Sequence, residues 1–334
     1  MKRLPWRVRL LGDLLRGLYY RRVDVIGTPC RDRPTLFLLS HRNGAIDGFV
    51  YQKALGGTPS LVSVQLLRGV LRLLFDGIPV VRDRDRERYG LRADAVPSPI
   101  NAAIAQLRAG GSLALYPEGT SAWDCRPLPY QRGMVVIAAK LRAAGVDFAV
   151  QPAAAHYSKP DGLRSRVSIV FGEAFTPQGE SLAALQDELA AALAAVSPDC
   201  ADAATFNHVQ QAAWQAAQQG EDYGVAFLRA QKHPPAPPFT YTSSAQVYVN
   251  KAAFALGCPF IAAGALIAAR AADGRNNVTF FRCLGGLAGA LLQIPLWGAA
   301  LCYTPAVGLL WLAAAALGWY FYPEPVPVPL PENP

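Results

Sequence analysis

The sequence predicts an α/β domain, a largely parallel or mixed sheet flanked by helices, followed by a helical segment and a C-terminal transmembrane hairpin. Between Val23 and about Thr176, short apolar runs alternate with helical stretches, the pattern of strands and helices sharing one core. From Cys283 to Tyr322 no residue is charged; those roughly 40 residues are twice the ~20 that one membrane crossing needs. Of 334 residues, 52% are hydrophobic and 17% charged, against ~25% charged in soluble domains. That balance excludes a disordered chain.

The first element, residues 1–22, reads as a basic amphipathic helix lying in a membrane interface. Trp6, Leu10, Leu11, Leu14, Leu15 and Leu18 recur at helical spacing among Arg7, Arg9, Arg16 and Arg21, the composition of an interfacial helix. A surface helix packed on its own domain has the same pattern. Residues 23–178 form the α/β domain. Its strands are expected at Val23–Ile26, Leu36–Leu39, Ile78–Val81, Ser112–Tyr116, Phe148–Pro152 and Val167–Phe171. Helices are expected at Ser60–Phe75, Ile100–Ala109 and Met134–Ala144.

Residues 179–232 are Ala- and Gln-rich and helical, with breaks near Ser197–Pro198 and Gly220. A Pro-rich linker, 233–248, leads to a membrane region, 249–322. There Ala252–Ala269, interrupted by Gly257, Pro259 and Gly264, reads as re-entrant or interfacial. The stretches 283–303 and 305–322 read as transmembrane helices turning at Tyr303-Thr304-Pro305. A Pro-rich tail, 323–334, closes the chain. Arg270, Arg275 and Arg282 flank the hairpin, so the positive-inside tendency puts its start, and the α/β domain with it, on the cytoplasmic side of a multi-pass membrane protein.

Net charge is +8, which suits an anionic partner such as a membrane surface or a phosphorylated metabolite. Nucleic acid is not expected, because the basic residues accompany membrane-type apolar segments rather than interleaved aromatics. The six cysteines form no CxxC pair, so no metal site is expected.

Four segments carry possible chemistry. In Ser40-His41-Arg42-Asn43-Gly44-Ala45-Ile46-Asp47, a histidine follows a strand and an aspartate lies six residues on. Gly44 and Asn43 permit the turn that pairs them. The carboxylate can then fix the imidazole tautomer while the other nitrogen takes a proton from an alcohol; a cap or surface pair has the same spacing. Asp76–Arg82 places Arg82 after a short strand, where it can clamp a phosphate or simply join the charged run 82–88. Tyr116-Pro117-Glu118-Gly119-Thr120 ends a strand in a turn with an acid, a glycine and a hydroxyl. Glu118 can receive polyol hydroxyls there, and Gly119 lets backbone approach a ligand. Val150-Gln151-Pro152 is another strand ending in proline, just before His156.

In this order the set resembles the glycerol-phosphate/1-acylglycerol-3-phosphate acyltransferase superfamily, which carries HX4D, G-x-x-x-x-R and FPEG blocks and an apolar strand ending near proline. Pro129-Tyr130-Gln131-Arg132-Gly133 is similar to that family's segment after FPEG. Five residues, not four, separate His41 from Asp47, a variant that resembles the fungal glycerol-3-phosphate/dihydroxyacetone-phosphate acyltransferases. Ser121 stands where an arginine often follows FPEGT. The resemblance implies an acyltransferase-type fold and a membrane-bound glycerolipid O-acyltransferase of phospholipid synthesis. His41 would be its general base, oriented by Asp47, with backbone amides near His41 or the Glu118–Gly119 turn cradling the oxyanion. Arg82, Glu118, Gly119, Thr120 and Arg132 would bind substrate. It implies no cofactor and no metal. The co-substrate is an acyl thioester, acyl-CoA or acyl-carrier protein, and the acceptor is glycerol-3-phosphate or lysophosphatidic acid at a lipid bilayer. The alternatives are an acyltransferase for another lysolipid and a non-catalytic membrane lipid-binding protein of the same fold.

Overall fold

Thr35–Leu39 (β2) is apolar after its first residue and buried along its whole length, as a strand covered on both faces must be. Successive side chains point to opposite faces. Leu36 and Leu38 therefore join one core and Phe37 and Leu39 the other. In this computed structural model, which describes residues 2–81, 87, 90, 98–234 and 245–331, β2 lies inside a five-stranded sheet. It pairs in parallel with Leu113–Leu115 (β5) on one side and Ala149–Tyr157 (β6) on the other. β6 runs antiparallel to Arg166–Phe171 (β7), and β7 parallel to Arg22–Ile26 (β1), giving the order β1-β7-β6-β2-β5. Beyond β5, Ser60 bridges Ala114, and Leu61–Ser63 (β3) pairs in parallel with Ile78–Val80 (β4). The sheet is thus mixed, as expected.

One face is covered by Trp6–Tyr19 (α1) and Ile46–Leu55 (α2). The other carries Pro99–Arg108 (α3), Gly133–Ala143 (α4) and Leu182–Ala194 (α5). Ala203–Gln218 (α6) and Tyr223–Lys232 (α7) build a third cluster around Phe206, Tyr223 and Phe227. α7 is tied to the sheet: Ser168 Oγ donates to Asp222, the N-cap of α7, at 2.9 Å. The expected breaks between these helices fall where they are observed.

Three expectations are corrected. The strand expected to end at Pro152 runs on through it to Tyr157. Ser60–Phe75 is not a helix. β3 takes its first residues into a two-stranded sheet with β4, and two 3₁₀ segments, Val64–Leu67 and Gly69–Leu73, come after it. Non-local strand pairing satisfies the backbone of Leu61–Ser63, and Arg68, in extended conformation, separates the two 3₁₀ segments. Helix α2 was not expected. It carries the site's aspartate near its start, and Phe49, Val50, Tyr51, Ala54 and Leu55 are buried along it, so no polar face marks it as a helix.

After residue 245 the chain forms four apolar helices. Ala245–Gly257 (α8) and Pro259–Ala269 (α9) are bent by 106° at Cys258. Val278–Tyr303 (α10) and Pro305–Tyr320 (α11) turn at Thr304. At 1.5 Å per residue α10 is ~39 Å long, enough for a ~30 Å hydrocarbon core, and α11 ~24 Å. Among the described residues Arg275–Tyr303 is the one unbroken stretch long and apolar enough to cross a membrane. Small residues let these helices touch: Gly285 and Gly289 on α10 lie against Gly264 and Phe260 on α9, and Gly318 on α11 against Phe254 on α8. The stretch after α11 returns to the α/β domain. Glu324 pairs with Arg166 at 2.8 Å, and Leu330 is buried in the cluster around Phe206.

His156 belongs to this core. It is buried on β6, its Nε2 donates to the Val196 carbonyl at 2.8 Å, and its ring meets Phe227. Burial pushes its pKa from 6.5 down to about 4. The folded ring is therefore neutral where the unfolded one begins to take a proton. Stability present above pH 6.5 is lost as pH falls toward 4, by up to about 3 kcal/mol. Thermal melts across that window should show the loss, and His156→Gln should flatten it.

Candidate active site

β2 and β5 are parallel neighbours in register, with Leu38 opposite Leu115. The loops leaving their carboxyl ends therefore lie side by side, where open α/β sheets form their crevices. His41 follows β2, and Tyr116-Pro117-Glu118-Gly119 follows β5.

His41 and Asp47 come together as expected. His41 Nδ1 lies 2.9 Å from Asp47 Oδ2, with Asp47 fully buried and His41 18% exposed. The same Oδ2 accepts the backbone N–H groups of Arg42 at 2.7 Å and Asn43 at 2.8 Å. Oδ1 accepts the Tyr157 hydroxyl at 2.5 Å. Four donors thus hold the carboxylate, which in turn orients the ring. Since a carboxylate only accepts, Nδ1 carries the hydrogen and Nε2, across the ring, is the basic nitrogen. Tyr116 stacks on the imidazole at 4.4 Å between centroids.

Glu118 ties the two loops together. Its Oε1 accepts the His41 N–H at 2.8 Å and its Oε2 the Leu128 N–H at 3.1 Å. Burial raises its pKa, and these two bonds oppose the rise. Glu118 lines the cleft, yet both oxygens are engaged in holding the β2 and β5 loops together. Gly119 sits at φ +71°, a backbone geometry that favours glycine, and its turn is closed by its N–H on the Tyr116 carbonyl. The N–H groups of His41, Arg42, Asn43 and Gly119 are all committed within the protein, so the oxyanion cradle expected from this backbone is not formed by those four.

Thr120 is exposed and lines the cleft. Arg132, exposed at the N-cap of α4, lies between two cleft-lining residues, Gln131 and Gly133, without itself lining it. Arg82 lies outside the described residues.

The cleft has a volume of about 1160 Å³ and runs from His41 past Phe49 and Phe75 to Phe280 on α10. Phe49, Phe75 and Phe280 form a continuous aromatic wall, with centroids 5.1 and 5.8 Å apart. Another wall comes from the loop entering α10. Asn276 Nδ2 donates to the Ser121 hydroxyl at 2.7 Å, and Asn277 abuts Gly44. Arg275 and Arg282 anchor this loop on Asp161. None of these residues was expected at the site, because they lie about 150 residues beyond the β5 loop and carry no motif. Tyr157 was missed too. Its signal, a tyrosine closing a long apolar strand, is common in any core. Arg42, the residue after the histidine, is buried between Trp123 and Phe206 and donates to the Asp124 carbonyl at 2.6 Å.

No family model and no curated protein matches the chain. Among solved structures it is similar to the 1-acyl-sn-glycerophosphate (LPA) acyltransferase PlsC from Thermotoga maritima. Identity is 19% and the TM-score 0.42, over 56% of this chain and 75% of that one. The functional reading rests on the geometry of the site.

Proposed function

We propose that this chain is a membrane-bound glycerolipid O-acyltransferase. It moves a fatty acyl group from acyl-CoA or acyl-carrier protein to a hydroxyl of glycerol-3-phosphate or lysophosphatidic acid. The observation that carries this reading is the His41–Asp47 pair, held at 2.9 Å at the mouth of a long, largely apolar cleft that reaches a membrane-type helix. His41 Nε2 removes the acceptor's hydroxyl proton, and the oxygen attacks the thioester carbonyl carbon. The tetrahedral intermediate expels the thiolate, which takes the proton from the imidazolium. Asp47 stabilises that imidazolium. Glu118 acts as a positioning residue that ties His41's backbone to the β5 loop. Thr120 and Arg132 stand beside the acceptor, and Arg82 holds its phosphate.

The apolar branch past Phe75 suits an acyl chain. α10 starts at the cleft and α11 ends against α1, so product can leave sideways into a bilayer. The α/β domain then faces the cytoplasm of a multi-pass protein, with Ala252–Ala269 re-entrant or interfacial.

A second reading of the acceptor has its own support. Among the described residues the cleft is lined by the carboxyl groups of Asp76, Glu118 and Asp273 and by no Lys or Arg, which suits a lysolipid with a less anionic headgroup. Labelled acyl-CoA incubated with glycerol-3-phosphate, lysophosphatidic acid and zwitterionic lysolipids separates the two. Absence of thioester consumption with every acceptor would refute both. If Arg82 binds phosphate, Arg82→Ala raises KM for a phosphorylated acceptor about tenfold or more with kcat little changed. An unchanged KM would assign Arg82 to the solvated charge run.

A further inference from the structure

A second groove, of about 800 Å³, opens between α1, β1 and the end of α2. Leu4, just before α1, and Val8 on it line the cleft, whereas Arg9, Asp13, Arg16 and Tyr20 wall the groove. Five cations line it, Arg9, Arg16, Arg21, Arg22 and Lys53, against two carboxylates, Asp13 and Asp24. Three of the cations are fixed in place. Arg16 bonds Asp13 and the Phe49 carbonyl, Lys53 the Val23 carbonyl, and Arg22 pairs with Asp24. The guanidiniums of Arg9 and Arg21 have no hydrogen-bond or ion-pair partner among the described residues, and both side chains are exposed. The rim is apolar: Trp6 is 70% and Leu10 49% exposed, and Leu14 and Leu18 continue the same row.

We infer that this groove is a binding site for the headgroup of an anionic phospholipid, separate from the catalytic cleft. Cations beside an exposed apolar row match the chemistry of an amphiphile, which distinguishes a lipid from a free phosphate. Position agrees. Trp319, in the last turn of α11, donates its indole N–H to the Leu18 carbonyl at 2.9 Å and stacks under Arg164. If α11 lies in a bilayer, as the proposed function has it, the groove sits at headgroup depth; the charge and shape of the groove do not depend on that reading. Gln52 lines both cavities, and its buried Oε1 has no partner among the described residues. Gln52 therefore lies in the wall between the headgroup site and the cleft.

The test is calorimetric titration of the full chain in neutral detergent. Dihexanoylphosphatidylserine should bind saturably, dihexanoylphosphatidylcholine should not, and inorganic phosphate should bind at least about tenfold more weakly than the serine lipid. Arg9→Gln with Arg21→Gln should weaken the anionic lipid by about tenfold or more, as loss of charge-assisted bonds does. Asp13→Asn, which removes a carboxylate from the same wall, should tighten it, and decides the matter if the double variant fails to fold. Equal binding of both lipids, equal binding of inorganic phosphate, or an affinity unmoved in the variants would overturn the proposal. His41→Ala should leave lipid binding intact, so loss of acyl transfer and loss of this site are separable results.

Discussion

Under the proposed function, His41→Ala is expected to cut acyl transfer by orders of magnitude while the protein stays folded. The expected fall in kcat is about 10²–10⁴-fold, the range that a positioned general base contributes. KM should move little, because the imidazole is asked to act on a proton rather than to hold substrate. The fold should tolerate the change. The ring is partly exposed at a cleft, and the side chain packs on Tyr116 rather than inside a core. Single-turnover assays with labelled acyl-CoA, alongside a thermal melt, check both halves. Full activity in a folded His41→Ala protein would remove the mechanism.

Asp47 gives the second large effect, and two substitutions separate its roles. Asp47→Ala strips a partner from four donors at once: the His41 ring, the Arg42 and Asn43 amides and the Tyr157 hydroxyl. Each buried donor left unmet costs ~1–3 kcal/mol, so the variant should lose several kcal/mol of stability as well as activity. Asp47→Asn should fold. Two backbone N–H groups already point at the Oδ2 position, and an amide NH₂ there would oppose them donor to donor. The amide oxygen is therefore drawn to that place, and the NH₂ turns to Tyr157, whose hydroxyl can accept. The ring keeps its tautomer but loses the negative charge that stabilises the imidazolium. The expected result is a near-native melt with kcat down by about 10²-fold, less than where an asparagine also reverses the tautomer. An Asn variant as active as the parent would show that Asp47 shapes the loop without contributing to chemistry.

The parts of the site that could be read along the chain are those closed by local turns. His41 and Asp47 are six residues apart, and Gly44, at φ +50°, makes the turn between them. The strands before His41 and Glu118 announce themselves as apolar runs, because a strand covered on both faces admits little else. Ser60–Phe75 misled for the complementary reason. Its local pattern suits a helix, but the hydrogen bonds that β3 makes with β4, and that Ser60 makes beside β5, come from segments far off in sequence.

Sequence by itself determined the positions of β1, β2, β4, β5 and β7, the apolar C-terminal helices and the meeting of imidazole and carboxylate, since turn sterics and burial periodicity act over a few residues. Only the tertiary structure decided what surrounds that pair. The parallel pairing of β2 with β5 brought Glu118 to the His41 amide, 77 positions away. Strand β6 brought Tyr157 to Asp47, 110 positions away. The loop entering α10 made Asn276 and Asn277 a wall of the cleft. Such contacts depend on strand register and on how helices pack over a sheet, quantities that a linear pattern of residue types does not contain.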